Sequence, residues 1–413
     1  MSLPSGRPPT DADSVLGARP EIVCEPSSLE EAAEIVGRSA RDGKSLVFVG
    51  GGTDLDLGRR PASLDVVLRT RRLDRVVEHA PSDQIVVVEA GVTLAALART
   101  LALRGQRLVL DPPLPERATV GGVLAANAFG PRRARYGSAR DLIIGISFVR
   151  SDGRLAHGGG KVVKNVAGFD LPKLMVGSLG TLGLIATATF RLHPLPEETV
   201  TLLSRGLGAP DVWTLTGRMR EAQLEPSSVV GLWREDGRID LSVRFEGFAR
   251  GVAEQRERFV SMVSGETGSR CDELDAAAAE SLWVRHDALR RAGSVRAKLA
   301  ALPAAFATLV PKALAPLFSA LERPGFVWYP TLGLGFVTGE PRAAVDPAGA
   351  IASARMSLGA GGGSLVLEAA PESIRNRVDV WGAPPSAIGL MKSVKSRLDP
   401  TRRFAPGRFV GGI

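Results

Sequence analysis

Along this chain, short continuous apolar runs alternate with amphipathic stretches, the pattern of buried strands with helices laid across them. Over residues 19–79 it predicts a small α/β unit. Glu21-Ile22-Val23 reads as a short strand, and Ser27 and Ser28 stand before Leu29-Glu30-Glu31 as an N-cap with acidic residues in the first turn. That helix is expected to reach about Arg41, where Asp42-Gly43 ends it. The run Ser45–Val49 predicts a buried strand that delivers the chain into Gly50-Gly51-Gly52-Thr53, and Asp65–Leu68 predicts another.

A second α/β unit spans residues 80–196. Gln84–Glu89 reads as a strand, and Thr93 opens an apolar-periodic helix to about Arg104, closed by Gly105. A long loop follows, Asp111–Gly122. Ile143–Val149 and Arg154–His157 flank Ser151-Asp152-Gly153 as a hairpin, and Leu184–Leu192 is one more strand before His193-Pro194-Leu195-Pro196 marks a boundary. From 197 to about 360 arginine-rich amphipathic stretches, Val252–Val263 and Asp275–Ala292, alternate with short strands such as Asp240–Phe245, which predicts an α+β domain. Residues 361–413 carry a strand (Ser364–Ala369), a helix (Ser386–Leu398) and an extended, glycine-containing end.

Composition changes this picture little. Hydrophobic residues are 44% and charged residues 23% of 413, ample for two or three cores. The first 17 residues have no apolar core and read as a floppy polar lead. The most apolar long stretch, Leu299–Phe336, is interrupted by Lys312, Arg323 and prolines, so it lacks the roughly 20 apolar residues of a membrane span. The net charge of +8, from 52 basic against 44 acidic residues, admits an acidic partner, or scattered surface arginine with a few arginines facing an anionic ligand. No nucleic-acid module signature is present, which favours the second. Cys24 and Cys271 have no neighbour at CxxC spacing, so no metal or iron–sulfur centre is expected within this chain, and the pattern fits a reducing compartment.

Three segments carry candidate chemistry. In Val49-Gly50-Gly51-Gly52-Thr53 a strand runs into three glycines, whose successive N–H groups suit a pyrophosphate, or simply make a turn. The spacing is not that of the GxGxxG dinucleotide fingerprint. In Ala118-Thr119-Val120-Gly121-Gly122, followed by Leu124–Asn127, a glycine pair opens a short helix, suiting phosphate, a flat ring, or a helix entry turn. Arg132, Arg133 and Arg135 follow in a glycine-flanked loop ending in Tyr136-Gly137, placing cation near backbone. The third segment runs from Gly158-Gly159-Gly160-Lys161 to Gly168-Phe169-Asp170-Leu171 and on to Gly177-Ser178-Leu179-Gly180-Thr181-Leu182-Gly183. Eight glycines fall between Gly153 and Gly183, a density that points to backbone packed against something other than protein. Lys161 is the phosphate-like element, although GGGKV lacks the order of an NTPase P-loop.

Together GGGTD, ATVGG with AAN, GPRRARYGSARD, GGGKVVKNVAGFDLPKLMVGSLGTLG and the terminal DPTRRFAPGRFVGGI resemble the FAD-binding domain of the vanillyl-alcohol oxidase and p-cresol methylhydroxylase superfamily, and within it the smaller flavin subunit of bacterial glycolate oxidases. The likeness is dense over 19–196 and 376–413 and thin between. It implies an α+β chain: a two-lobed α/β FAD-binding domain (19–196, lobes 19–79 and 80–196), a reduced α+β cap (197–360), and a tail (361–413) packing back on the FAD domain. It implies that Gly50, Gly51, Gly52 and Thr53 hold the pyrophosphate and that Pro113, Thr119, Gly121 and Gly122 line the flavin. Tyr136, Gly137 and Asp141 would support the flavin loop. Gly168, Gly180 and the backbone of Ile185 would lie along the adenosine half, with Arg408 closing the far side.

Departures from the family pattern matter. Where covalent members carry a histidine or cysteine after the glycine run, this chain has Thr53-Asp54, so noncovalent FAD is expected. The usual asparagine before the terminal PGR is Ala405. Larger relatives that oxidise 2-hydroxy acids carry a histidine-rich metal motif in the cap, but here Gly361–Leu367 offers no histidine or acid, and no metal is expected. His286 as a base and Arg285 as a carboxylate clamp are the only cap candidates for catalysis, and a lone histidine on an amphipathic helix is ordinarily a surface or packing residue. The expected function is an FAD-binding subunit of a glycolate (2-hydroxy acid) oxidase or dehydrogenase, with a larger flavin subunit and an iron–sulfur subunit as partners. No nucleic acid is expected, and the location is cytoplasmic, touching a membrane only through partners. The alternatives are a non-catalytic scaffold subunit with a structural flavin site, and a nicotinamide-dependent reductase of a cell-wall sugar precursor, whose reduction-site serine is not apparent.

Overall fold

A computed structural model describes residues 3–162 and 168–413. Part of the third glycine motif, residues 163–167, lies outside the described residues. The chain divides into a first unit (1–130, 137–194 and 383–413) and a second (131–136 and 195–382).

Among the described residues the first unit holds two larger sheets and one two-stranded pair. β1 (Gly6–Arg7), β2 (Ile22–Cys24), β3 (Leu46–Val49) and β4 (Val66–Arg69) form one, in the order β1-β2-β4-β3, with β2, β4 and β3 parallel. The helix Leu29–Arg41 starts at Ser28, whose side chain accepts from Glu31 N, and buries Ala32, Ile35 and Val36. That i, i+3, i+4 stripe packs on Leu46, Val66 and Leu68. The amino-terminal lead is not floppy. β1 pairs with β2, and Asp13, 2% exposed, receives Arg7 at 2.8 Å and Arg69 at 2.6 Å. Arg7, with further help from Thr10 and Arg69, holds that carboxyl well below the usual carboxylate range despite burial. Charge pairing, invisible to a hydrophobicity pattern, fixes the segment.

β5 (Val76–Ala80), β6 (Ile85–Glu89), β7 (Gln106–Arg107), β8 (Ile143–Val149), β9 (Leu155–Gly159), β10 (Leu184–Arg191) and β11 (His193–Pro194) follow. Five of them make an antiparallel sheet ordered β5-β6-β10-β8-β9, and β7 pairs with β11. β5 escapes a pattern reading because Glu78 and His79 interrupt its apolar side, so the sheet begins at 76 rather than at the expected lobe boundary. The helices Leu94–Ala102 and Val120–Ala126, capped by Thr93 and Thr119, share a core with Val86, Val88, Ile146, Phe148 and Phe190. The tail enters the first sheet from outside: Leu46 N donates to Arg403 O and Ala405 N to Leu46 O.

The second unit is built on one antiparallel sheet of β12 (Glu198–Leu207), β13 (Ser228–Trp233), β14 (Ile239–Gly247), β15 (Cys271–Leu274), β16 (Val295–Ala300), β17 (Leu321–Tyr329), β18 (Leu334–Pro341) and β19 (Ser364–Ala369). Their order is β15-β12-β14-β13-β17-β18-β16-β19. Because β19 is an edge strand of this sheet, the second unit runs past the expected boundary at 360 to 382. The alternation of strand residues separates its faces. Val243, Phe245, Val295, Leu299 and Leu367 enter a core with the helices Ala209–Glu221, Ala249–Thr267, Leu309–Ser319 and Pro347–Ala360. The register puts Val327, Phe336 and Lys298 side by side on the opposite face. On that face lies the helix Ala276–Arg291, where Trp283 Nε1 donates to Thr201 Oγ1 at 3.4 Å and the Arg244 guanidinium covers the Trp283 ring at 4.0 Å.

Among the described residues no helix is long and apolar enough to cross a membrane, and no group of three or more His, Cys, Asp or Glu is placed to hold a metal.

Candidate functional site

An open cleft lies in the first unit. The end of β3 and the loop Gly50–Leu55 form one wall, Gly121, Gly122, Ala125 and Ala126 a second, and Leu179–Gly180 with Gly183–Ile185 a third. Thr70, Ala90 and Arg408 complete the lining.

Each glycine here has its own reason. An added methyl at Gly50 would stand 2.0 Å from Thr119 Oγ1, and at Gly51 1.7 Å from Arg117 O, so protein packs behind the loop. At Gly52, whose φ is +71°, the same methyl meets nothing within 4 Å and would enter the cleft. The loop is thus pressed from behind and open in front. The N–H groups of Gly50, Gly51 and Gly52 have no partner among the described residues. Buried or cleft-facing amides are ordinarily satisfied, so three successive unpartnered ones in a cleft-lining loop have the character of an anion nest. This is the observation by which the cleft fits a pyrophosphate.

Of the roles the sequence offers the second glycine pair, phosphate donor and flat wall, the hydrogen bonds favour the second. Gly121 N donates to Ala90 O at 2.8 Å, and Gly122 N to Thr119 Oγ1 at 3.3 Å. These amides are already used, so the pair offers a bare, flat wall instead of phosphate donors. Crowding by protein also explains much of the glycine density between 153 and 183: added methyls would lie 2.1 Å from Ile144 O at Gly159 and 2.9 Å from Val149 O at Gly183. Gly180 and Gly183 of the same run line the cleft.

Arg408 is 2% exposed, yet lines the cleft; its Nη2 donates to Leu55 O at 3.0 Å and Leu57 O at 2.7 Å. Asp54 Oδ2 accepts from Thr53 Oγ1 at 3.2 Å. Ala405 has φ +43°, the left-handed region an asparagine would occupy more readily.

Of the sequence candidates, Gly50, Gly51, Gly52, Thr53, Gly121, Gly122, Gly180, Ile185 and Arg408 line the cleft. Pro113, Thr119, Tyr136, Gly137, Asp141 and Gly168 stand outside that lining. Thr119 backs the glycine loop, and Asp141 accepts from Ser138 N and Oγ at 2.7 and 2.8 Å, capping the short helix Ala139–Leu142. Tyr136 belongs to the second unit. The arginines read as facing an anionic ligand are paired with acids: Arg132 with Glu246 at 2.7 Å and Arg135 with Glu225 at 2.8 Å. Lys161, read as a phosphate element, is paired with Glu78. Phe48, Thr70, Ala90 and Leu184 join the lining without a sequence signal, because sheet ends bring them there.

In the second unit His286 is 1% exposed, a packing residue and not a surface one. Its Nδ1 lies 2.9 Å from Asp287 Oδ1 and its Nε2 2.7 Å from Tyr329 Oη. A carboxylate only accepts, so Nδ1 carries the proton and Tyr329 donates to Nε2. Arg290 Nη1 donates to Tyr329 Oη at 3.2 Å, and its guanidinium stacks 3.8 Å above Phe336. Burial holds His286 below its ordinary value. Arg285 is exposed on the same helix. The pair His286/Arg290 was legible as an i, i+4 face; Tyr329 comes from β17 and gave no signal.

Residues 20–159 match the model of the family described as FAD binding domain. The chain is 32% identical over 225 residues to glycolate oxidase subunit GlcE of Escherichia coli, covering 54% of this chain and 62% of that protein. It is 38% identical over 184 residues to a D-lactate dehydrogenase of Archaeoglobus fulgidus (44% and 40% covered) and 32% over 194 to glycolate oxidase subunit GlcD of Bacillus subtilis (47% and 41%). The match thus spans less than two thirds of each relative. A solved alkyldihydroxyacetonephosphate synthase shares the fold, with TM-score 0.73 at 17% identity over 95% of this chain and 78% of that one.

Proposed function

We propose, on the premise that this chain carries an FAD binding domain of the p-cresol methylhydroxylase type, that it is the flavin-holding subunit of an enzyme oxidising glycolate or a similar small 2-hydroxy acid. The observation that carries the reading is the row of unpartnered Gly50, Gly51 and Gly52 amides inside a family-matched cleft. Relatives named as glycolate oxidase subunits and D-lactate dehydrogenases supply the substrate class.

When bound, FAD supplies a hydride acceptor and a route for electrons onward. This chain's residues do the holding. The three amides would hold the pyrophosphate, and the buried Arg408 guanidinium adds positive charge to a cleft lined, among the described residues, by one carboxylate, Asp54. Gly121 and Gly122 give the ring a wall without side chains, and Gly180 and Ile185 border the adenosine half. Among the described residues no histidine or cysteine lines the cleft, which supports a flavin held without a covalent bond. Two isolated cysteines make no relay, so a larger flavin subunit and an iron–sulfur subunit take the electrons. The complex works in the cytoplasm or against the inner face of the membrane.

A scaffold role is the second reading. It is favoured by His286, whose only lone pair is occupied by Tyr329, leaving it unable to take a substrate proton directly. The deciding experiment is the absorption spectrum of the purified chain, repeated anaerobically with glycolate. Flavin bands released by acid and bleached by glycolate support catalysis in this chain. Bands that do not bleach move the chemistry to a partner, and a colourless protein that takes up no FAD sinks the proposal.

A further inference from the structure

The tail helix Ile388–Leu398 carries a lysine in an unusual place. Lys395 is 3% exposed, and its ammonium has three protein acceptors: Thr181 O at 2.8 Å, Asp399 Oδ2 at 2.6 Å and Phe404 O at 2.9 Å. An ammonium has three donors, so all are used. Asp399 is fully buried, and the same Oδ2 accepts from Phe404 N at 2.8 Å. Its other oxygen has no hydrogen-bond partner among the described residues, and Lys395 is the cation hydrogen-bonded to the first. Burial pushes the lysine's pKa down, and only Asp399 opposes that.

What this ammonium joins is the cleft itself. Thr181 follows Leu179 and Gly180, which line the third wall. Phe404 packs edge-on against Phe48, a residue of the first wall, with ring centroids 5.0 Å apart. Four residues beyond Phe404 comes Arg408, held in the cleft by Leu55 and Leu57. Walls from distant parts of the chain therefore converge on one buried charge that touches none of the cleft's interior.

We propose that Lys395 is a positioning residue for FAD: its ammonium latches the tail to the 178–183 loop and so sets the spacing between the walls that clasp the cofactor. The latch couples two events. Docking the tail forms the cleft, and FAD, by bridging the same walls, holds the tail down. This rests on the reading of the cleft as an FAD site, but not on any substrate.

The test uses the full chain stripped of flavin and retitrated with FAD, read by flavin fluorescence well below the unfolding temperature of each apoprotein. Lys395→Met is expected to weaken FAD binding by roughly tenfold to a hundredfold, as loss of a supporting partner does in other cofactor sites. In the wild type, FAD is expected to slow hydrogen exchange at residues 395–408 while strands of the second unit are unchanged. If Lys395→Met fails to fold, the wild-type exchange measurement decides alone. A folded Lys395→Met chain that binds FAD as tightly as wild type, or tail amides equally protected with and without FAD, overturns the latch while leaving the FAD site standing. A wild-type chain that takes up no FAD overturns both.

Discussion

The cleft of the first unit and the polar chain of the second are made of different material. The cleft is main chain: unpartnered amides, bare glycine walls, and one guanidinium anchored to carbonyls. The chain Arg290–Tyr329–His286–Asp287 is side chain throughout, with each hydrogen bond directed to the next group. A backbone nest holds its shape because the residues behind it are packed; a side-chain network holds only while every member is present. The first is organised to receive something. The second is closed upon itself, with Tyr329 occupying the lone pair that would make His286 a base.

The largest expected effect breaks the cleft. Gly51→Val places atoms against Arg117 O, so we expect loss of FAD binding together with a destabilisation of about 1–3 kcal/mol or more from overpacking. Gly52→Ala is its control: the methyl has space, and only the positive φ costs about 1–2 kcal/mol, so the fold survives while the cleft narrows. FAD titration of both apoproteins checks this, and equal affinities would refute a nest at this loop.

Next comes Tyr329→Phe. It leaves His286 and Arg290 buried without their shared partner, and we expect a loss of about 1–3 kcal/mol in chemical denaturation. FAD affinity should stay at the wild-type value, because the network serves the second unit's packing. A large fall in affinity would erase the contrast between the regions.

Smaller still is Asp13→Asn. It weakens the arm held by Arg7 and Arg69, with an expected cost of about 1–2 kcal/mol and faster exchange at residues 6–24. The wild-type arm should also loosen in acid. A carboxyl whose folded pKa is depressed stabilises above its unfolded value, here 3.8, and loses that contribution as pH falls further.

The mildest effect is a slope. His286 has a folded pKa below its unfolded 6.5, so above that value it is neutral in both states. As pH drops under 6.5 the unfolded chain takes up the proton first, and stability declines. Thermal melts between about pH 7 and pH 5 should show this decline, and His286→Phe should flatten it.

The sequence alone determined the local elements. Ser28 and Thr93 announced helix starts because their hydroxyls accept from N–H groups three residues on, and SLVFV announced a strand because four successive apolar side chains follow its serine. It also located a glycine loop that lines the cleft, since a glycine loop after a buried strand is a backbone feature written in adjacent residues. What it could not see were glycines whose crowding neighbours are remote: an added methyl at Gly159 would meet Ile144 O and at Gly183 Val149 O. Only the tertiary structure decided that Arg132, Arg135 and Lys161 are spoken for by acids, that Tyr329 closes the lone pair of His286, and that Lys395 meets Thr181 across 214 positions of chain. The reason is physical. Capping, strand burial and nests are interactions between neighbours in sequence, whereas charge pairing and buried polar satisfaction depend on which groups the packed fold brings within about 3 Å of one another.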